Sequence, residues 1–341
     1  MSKVVGSSKV ITKNGPTLIS NLKTNTDIEF WNGTNWFVGQ VNKYSGKKTN
    51  LIDVGVKRKL TRVVCSDDSL FPDTQSRKKT INNIKTLTYG TFPIYDGKDG
   101  IIDPYVQGKQ HSDWFCQSPS DKTRFFFPVM QKEPEIIEFF KNRSEEDYSR
   151  SHFYYKNVKL HAYTITDPRL LNIDEFPIYA SLKSKVEFIS GFYNTGSIFI
   201  DMHRYGEKGC LAIYSYSIEI VHGMIRLFES MGITSTYYYY TNMNWLSNIQ
   251  YDSENHSIKR NMKSNVCAIF LPRESVEKLS NMGVDVKDRR FKYAIKTMKD
   301  AGDIRFLVSY KNHLTRKVDS LYTIVSKESK ICMFNSIPLF L

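Results

Sequence analysis

The chain has 341 residues and a mass of 39.6 kDa, more than one ordinary core organises, so two or three domains or one domain inserted in another is predicted. With 40% hydrophobic, 13% aromatic and 24% charged residues it is neither disordered nor fibrous, and no apolar stretch approaches the ~20 residues of a membrane-spanning helix. The 48 Lys and Arg against 35 Asp and Glu give a net charge of +13, which favours a polyanionic partner and no membrane. The charge is uneven: residues 1–90 carry 15 cations against 6 anions, residues 265–341 carry 14 against 8, and the middle of the chain is close to neutral. Cys65, Cys116, Cys210, Cys267 and Cys332 are odd in number and each more than fifty residues from the next, which excludes a zinc ribbon, a CxxC pair and a disulfide framework. No apolar segment opens the chain, so an intracellular protein is expected.

In chain order, residues 1–80 read as short strands broken by turns: VVGSSKVIT, a turn at Lys13-Asn14-Gly15-Pro16, LISNL, DIEFW, NWFVGQVNKY, LIDVGV and KLTRVVCS. The cluster Arg77-Lys78-Lys79 reads as a solvated connection able to meet phosphates. From about Ile101 the pattern changes. Helices are predicted at Pro134–Asn142, Ile218–Met231 and Ser275–Met282, the last two stopped by Gly232 and Gly283 in the left-handed position after a helix. Between them run strand-like segments such as RFFFPVM, SIFIDMHRY, CLAIYSYS, STYYYYTN and NVCAIFLP. The last forty residues return to strands, DIRFLVSYK, SLYTIVSK, SKICMFN and SIPLFL. The fold class is α+β: an all-β unit built from both chain ends and interrupted by an α+β insertion.

That order, with the residues that follow, resembles an intein, a protein-splicing Hint-like β domain interrupted by a LAGLIDADG homing endonuclease. Gly6, Ser7, Ser8, Val10, Thr12 and Gly15 match the opening splicing block, and Val64 to Phe71 resembles the block that holds a Thr and a His. Asp103, Pro104, Tyr105 and Gly108 match the first endonuclease helix, with Asp113 in its metal-ligand position. Phe188, Gly191, Phe192, Gly196, Ser197 and Ile198 match the second. The resemblance implies a Hint-like domain over 1–90 and 303–341 and a pseudo-twofold endonuclease-like domain over 91–302, with halves near 91–180 and 181–302.

Departures from the family pattern fall on the reactive positions. Splicing needs a Cys or Ser nucleophile, a His that protonates the scissile amide and a terminal His-Asn pair. Lys3 stands at the nucleophile position, Asp68 at the histidine position and Phe340-Leu341 at the terminal pair. The opening Met and the missing flanks read as a free-standing, splicing-dead protein. Nuclease chemistry in the family uses one carboxylate from each helix end to hold Mg²⁺. Here only Asp113 can be named, since the second helix carries Asn194 and Thr195 before its Gly and Asp201 lies in the next strand. Lys109, Gln110 and Trp114 are expected to hold the helices apart, and His111 neighbours Asp113.

What the resemblance leaves is double-stranded DNA read from a sheet face. The candidate contacts are Lys57, Arg58, Lys59, Arg77, Lys78, Lys79, His203, Arg204, Arg289, Arg290 and Lys292, with the tyrosine run 237–240 read as sheet packing. The expectation is a DNA-binding protein, cytoplasmic or with the nucleic acid, that has lost splicing and cleavage, with no cofactor. The alternatives are an active site-specific endonuclease using Mg²⁺, with Asp113 and Asn194 or a displaced acid as ligands, and an interaction subunit of a larger nucleic-acid-processing complex.

Overall fold

The computed structural model describes residues 3–32, 35–45, 48–56, 62–67, 69–72, 78–80, 83, 86–88, 92–98, 101, 103–111, 116–117, 124–130, 146–147, 153–155, 158–166, 176–194, 197–204, 207–215, 217–243, 248–252, 257–261, 264–286, 289–301, 305–317 and 320–326. The chain divides into two compact units, residues 1–94 with 302–341, and residues 95–301. Among the described residues no helix is long and apolar enough to cross a membrane.

The first unit is built from β1 (Val4–Val5), β2 (Lys9–Thr12), β3 (Gly15–Leu18), β4 (Asp27–Trp31), β5 (Trp36–Ser45), β6 (Lys48–Val56), β7 (Arg62–Ser66), the pair β8 (Leu70–Pro72) and β9 (Lys78–Thr80), and β10 (Thr86–Thr88). Two later strands, β22 (Arg305–Lys317) and β23 (Ser320–Ser326), join them. The sheet order is β10-β22-β6-β7-β1-β23-β5-β4-β2-β3, so β1 lies between β7 and β23. Inward side chains of alternating strands, among them Val4, Val10, Phe30, Val41, Ile52, Cys65 and Ile324, form one apolar core. The β2–β3 hairpin closes at Gly15, whose φ of 96° only glycine adopts without strain, and the Thr12 hydroxyl donates to the Gly15 carbonyl at 3.0 Å.

Two sequence expectations change here. LISNL is not a strand: Ile19–Asn21 forms a 3-10 turn that sinks Ile19 into the core, with the Ile19 amide bonded to the Ser8 carbonyl at 2.9 Å. Lys78 and Lys79 do not form a free connection, because they pair with Pro72 and Phe71 across β8–β9. The predicted helix Pro134–Asn142 and the strands SKICMFN and SIPLFL lie outside the described residues.

The second unit opens with α1 (Pro104–Gln110), capped by Asp103 and started by a Pro at its first position. An antiparallel sheet follows: β11 (Cys116–Gln117), β12 (Arg124–Met130), β13 (Glu146–Asp147), β14 (Phe153–Tyr155) and β15 (Val158–Thr166), with β15 as the shared partner of β12, β13 and β14. Next come α2 (Leu182–Tyr193), β16 (Ser197–Asp201), β17 (Cys210–Ser215), α3 (Ile218–Ser230), β18 (Thr236–Met243), the hairpin β19 (Asn248–Asp252) and β20 (Ser257–Asn261), β21 (Ser264–Leu271), α4 (Arg273–Asn281) and α5 (Arg289–Thr297). Strands β16-β17-β21-β18 form one sheet. Gly232 and Gly283, after α3 and α4, take φ of 66° and 94° as the two stop signals require.

Helices α1 and α2 cross in direct backbone contact. A methyl on Gly108 would stand 1.9 Å from the Phe188 carbonyl oxygen, and one on Gly191 would stand 1.9 Å from the Tyr105 carbonyl oxygen. The expectation that Lys109 and Gln110 hold the helices apart is therefore wrong: both are buried, but the crossing point belongs to the glycines. Trp114 lies outside the described residues.

A short strap leads into α2. The Tyr95 amide donates to the Ser230 carbonyl at 2.8 Å, Gly97 to Ala180 at 3.1 Å, and the Leu182 amide to Asp96 Oδ1 at 2.7 Å. Lys185, buried on the first turns of α2, donates from Nζ to the Tyr95 carbonyl at 2.6 Å and sits 5.0 Å from the Tyr95 ring centre. Burial pulls its pKa from 10.5 down to about 8, against the opposing pull of Asp96.

Two outcomes follow from this packing. Gly108→Ala should cost about 3 kcal/mol, the top of the range for overpacking, because the obstacle is main chain that cannot step aside; urea unfolding reads the loss. The unfolded chain holds the Lys185 proton more tightly than the fold does, so stability should rise as pH climbs from about 8 toward 10.5. Unfolding free energies measured across that window should show the rise, and Lys185→Gln should flatten it.

Candidate nucleic-acid interface

At the end of α1, His111 is buried; its Nδ1 lies 2.9 Å from the Gln107 carbonyl oxygen and its ring packs against Phe176 and Phe188 at 4.6 and 5.2 Å. It is a core histidine that caps the helix. Asp113 and Thr195 lie outside the described residues.

At the end of α2, Asn194 is 4% exposed. Its Nδ2 donates to the Tyr105 hydroxyl at 3.0 Å and to the Asp285 carbonyl at 3.1 Å. One turn earlier the Ser190 hydroxyl accepts from the Asp285 amide at 2.9 Å. The amide of Asn194 thus pegs the segment after α4 to α2 and ties α1 to both. The carboxylate of Asp201, the displaced acid, accepts from the His203 amide at 3.0 Å and from Arg204 Nε at 3.1 Å. It closes a turn and pairs a cation. Among the described residues no three His, Cys, Asp or Glu side chains come together as metal ligands, and Asn194 brings a neutral amide where a carboxylate would attract a divalent ion more strongly.

The four-stranded sheet has two unlike faces. One meets α3: Tyr237 lies 5.5 Å from His222 of that helix, and the register puts Leu211, Ile213, Ile269 and Leu271 beside it. The other carries Cys210, Ala212, Ala268 and Phe270 under a layer of Tyr214, Tyr238 and Tyr240. The tyrosine run therefore alternates across the sheet and packs, as its spacing predicts; Tyr239, on the α3 side, stays exposed.

Arg204 lies on the tyrosine face, its guanidinium carbon 4.3 Å from the Phe270 ring centre and 5.6 Å from that of Tyr238, with Nη2 donating to the Tyr240 hydroxyl. Asp201 and Tyr240 take two of its five N–H donors. Burial, reinforced by Asp201, pushes the Cys210 thiol beneath up to about 12, so it is no nucleophile at neutral pH. His203 is exposed in the adjoining turn.

The basic clusters fare unevenly. Lys57, Arg58, Lys59 and Arg77 lie outside the described residues, and Lys78 and Lys79 sit in β9. Arg289, Arg290 and Lys292 open α5, with Arg290 and Lys292 exposed. The cluster extends further than the sequence reading took it, to Lys296 and Lys299. The signal was present: no acid stands between Arg289 and Lys299, and Phe291, Ala294 and Met298 mark the buried stripe.

In the first unit, the backbone of Lys3 is held by two serines. Its amide donates to Ser69 Oγ at 3.1 Å, its carbonyl accepts from the Ser66 amide at 2.9 Å, and the two buried hydroxyls lie 3.0 Å apart. Asp68 lies outside the described residues; the side chain seen to reach the Lys3 amide is that of Ser69.

Asn194→Asp tests the helix end directly. A carboxylate there has no proton for the Asp285 carbonyl, so the change should cost about 2 to 3 kcal/mol in unfolding and give no gain in Mg²⁺ binding by calorimetry.

No family model and no curated protein matches the chain. Solved structures do. The gp41-1 intein is 18% identical, over 28% of this chain and 69% of that one, with a TM-score of 0.21. Mesophilic variants of the homing endonuclease I-DmoI are 12% identical, over 53% of this chain and 94% of theirs, at 0.32. I-DmoI in complex with DNA and Ca is 11% identical, over 56% and 95%, at 0.34.

Proposed function

We propose that this is a DNA-binding protein that holds duplex DNA on the tyrosine-layered face of the β16-β17-β21-β18 sheet and neither splices nor cuts. The observation that carries the reading is Arg204. A cation stacked on Phe270 and fixed by Asp201 and Tyr240 is oriented before any ligand arrives, so little entropy is lost when its remaining donors meet a phosphate or a base edge. The net charge of +13 adds long-range attraction that depends on salt.

The nuclease alternative finds little support at the second helix end, where Asn194 brings no negative charge and Asp201 is paired with Arg204. Splicing finds as little around Lys3. The Ser66 and Ser69 hydroxyls can hold that backbone, but a serine hydroxyl does not deliver a proton to an amide at neutral pH as an imidazole does. Partners beyond DNA, in a larger nucleic-acid-processing complex, would build on the same scaffold.

Gel-shift selection from random duplex DNA with the purified protein should recover bound sequences. Arg204→Ala should weaken binding by roughly 1 to 3 kcal/mol, with Arg204→Lys only partly restoring it because a point charge does not stack as a planar group does. Asp113→Asn should leave affinity unchanged. Cleavage of the bound duplex with Mg²⁺ or Mn²⁺ that Asp113→Asn stops would replace this reading with the nuclease. A ligated product from foreign sequence fused to both ends would refute the loss of splicing.

A further inference from the structure

Helix α5 shows two faces of opposite character. Phe291, Ala294 and Met298 are 2%, 0% and 4% exposed, and Phe291 meets Tyr193 of α2 at 5.6 Å between ring centres, so the apolar stripe is wholly used by the core. Outward stand Lys292 and Lys296 of the helix and Lys299 two residues past its end, all exposed. At about 1.5 Å per residue Lys292 and Lys296 stand roughly 6 Å apart along the axis, close to the ~6.8 Å of axis between the first and third of three successive phosphates on one DNA strand.

Two acids nearby are already paired. Asp300 is taken by Arg273 Nη1 at 2.6 Å, and Glu277 by the other arm of the same guanidinium. The end of α5 is tied to the β16–β17 turn, with the Lys299 amide donating to the Lys208 carbonyl at 2.7 Å and Lys208 Nζ to the Ala301 carbonyl at 2.9 Å. This places the Lys299 end of the row beside the turn between β16, the edge strand, and β17 of the sheet next to Arg204.

We infer that the outer face of α5 and the residues just after it, through Lys292, Lys296 and Lys299, are a phosphate track that grips the backbone of duplex DNA beside the β16 edge, an inference that rests on the DNA-binding reading above. Charge complementarity selects this occupant. A basic amphipathic helix can also lie on an anionic membrane, but it does so by inserting its apolar face, and here that face is already buried against Tyr193. Lysines along a backbone supply position and affinity without sequence information, leaving any base reading to the sheet.

The test measures fluorescence anisotropy of a labelled 24-base-pair duplex with the full chain, from 50 to 300 mM KCl. The K292Q/K296Q/K299Q variant should lose about 2.7 from the slope of log affinity against log salt, ~0.9 per phosphate, and should bind on the order of a hundredfold more weakly at 0.15 M salt. Its unfolding midpoint should match the wild type. If the triple variant does not fold, Lys296→Gln alone should lower the slope by ~0.9. Wild-type binding with an unchanged variant slope overturns this inference and leaves the sheet-face reading standing; no wild-type binding at 50 mM KCl overturns the DNA-binding reading and the track with it. Sedimentation with phosphatidylserine vesicles that the variant loses, while its DNA slope is unchanged, assigns the face to membranes and also overturns the inference.

Discussion

The second unit depends on a contact with no side chains in it. Where α1 and α2 cross, Gly108 faces the main chain at Phe188 and Gly191 faces the main chain at Tyr105, each with no room for a methyl. Backbones at that distance fix the helices in one register, since sliding by a residue would drive a Cβ into a carbonyl oxygen. The register brings the Tyr105 hydroxyl within reach of Asn194, and Asn194 with Ser190 then anchors Asp285 beyond α4. Two glycines thus decide where the helix ends stand, and hydrogen bonds of about 1 kcal/mol each secure the arrangement.

The excess positive charge is used in two ways. Arg204 is half-buried, ion-paired and stacked, and charges a few ångströms apart near a protein surface attract by about 4 kcal/mol, against about 1 kcal/mol in bulk water. Such a group is a fixed feature of the sheet. The lysines of α5 are the opposite case, solvated and separated by whole turns, so they add field and little rigidity. A polyanion would meet an oriented contact at the sheet and adaptable ones along its edge, a division that suits specificity to the first and affinity to the second.

Much of this was legible in the sequence where a local rule decides. The strands DIEFW and RFFFPVM appear with the predicted ends, and α3 and α4 stop at the glycines that mark them. The match at Gly108 and Gly191 named the crossing residues, yet reading Lys109 and Gln110 as obstacles failed, because neighbours on a helix point about 100° apart and only one position faces the partner. The roles of Asn194, Asp201 and Ser69 were not legible. Each is set by a partner far along the chain, Asp285 for Asn194 and Lys3 for Ser69, or by a turn closing on itself, and residue type alone does not reveal such pairings. Arg204 looked like an outward base-reader, and only the sheet register shows that it covers Phe270 before it can reach anything else.

The end of α2 and the backbone of Lys3 share one property. At the end of α2 stands an amide, and beside Lys3 stand two hydroxyls, and none of these titrates near neutral pH. A buried carboxylate or imidazole at either place would bring a desolvation cost and a pH-dependent stability, the usual burden of a catalytic group. Asn194 and Ser69 bring neither, and each bonds the main chain of a distant segment. On the proposed reading the fold has exchanged reactivity for stability at both positions. What it offers a ligand on that reading is shape and fixed charge.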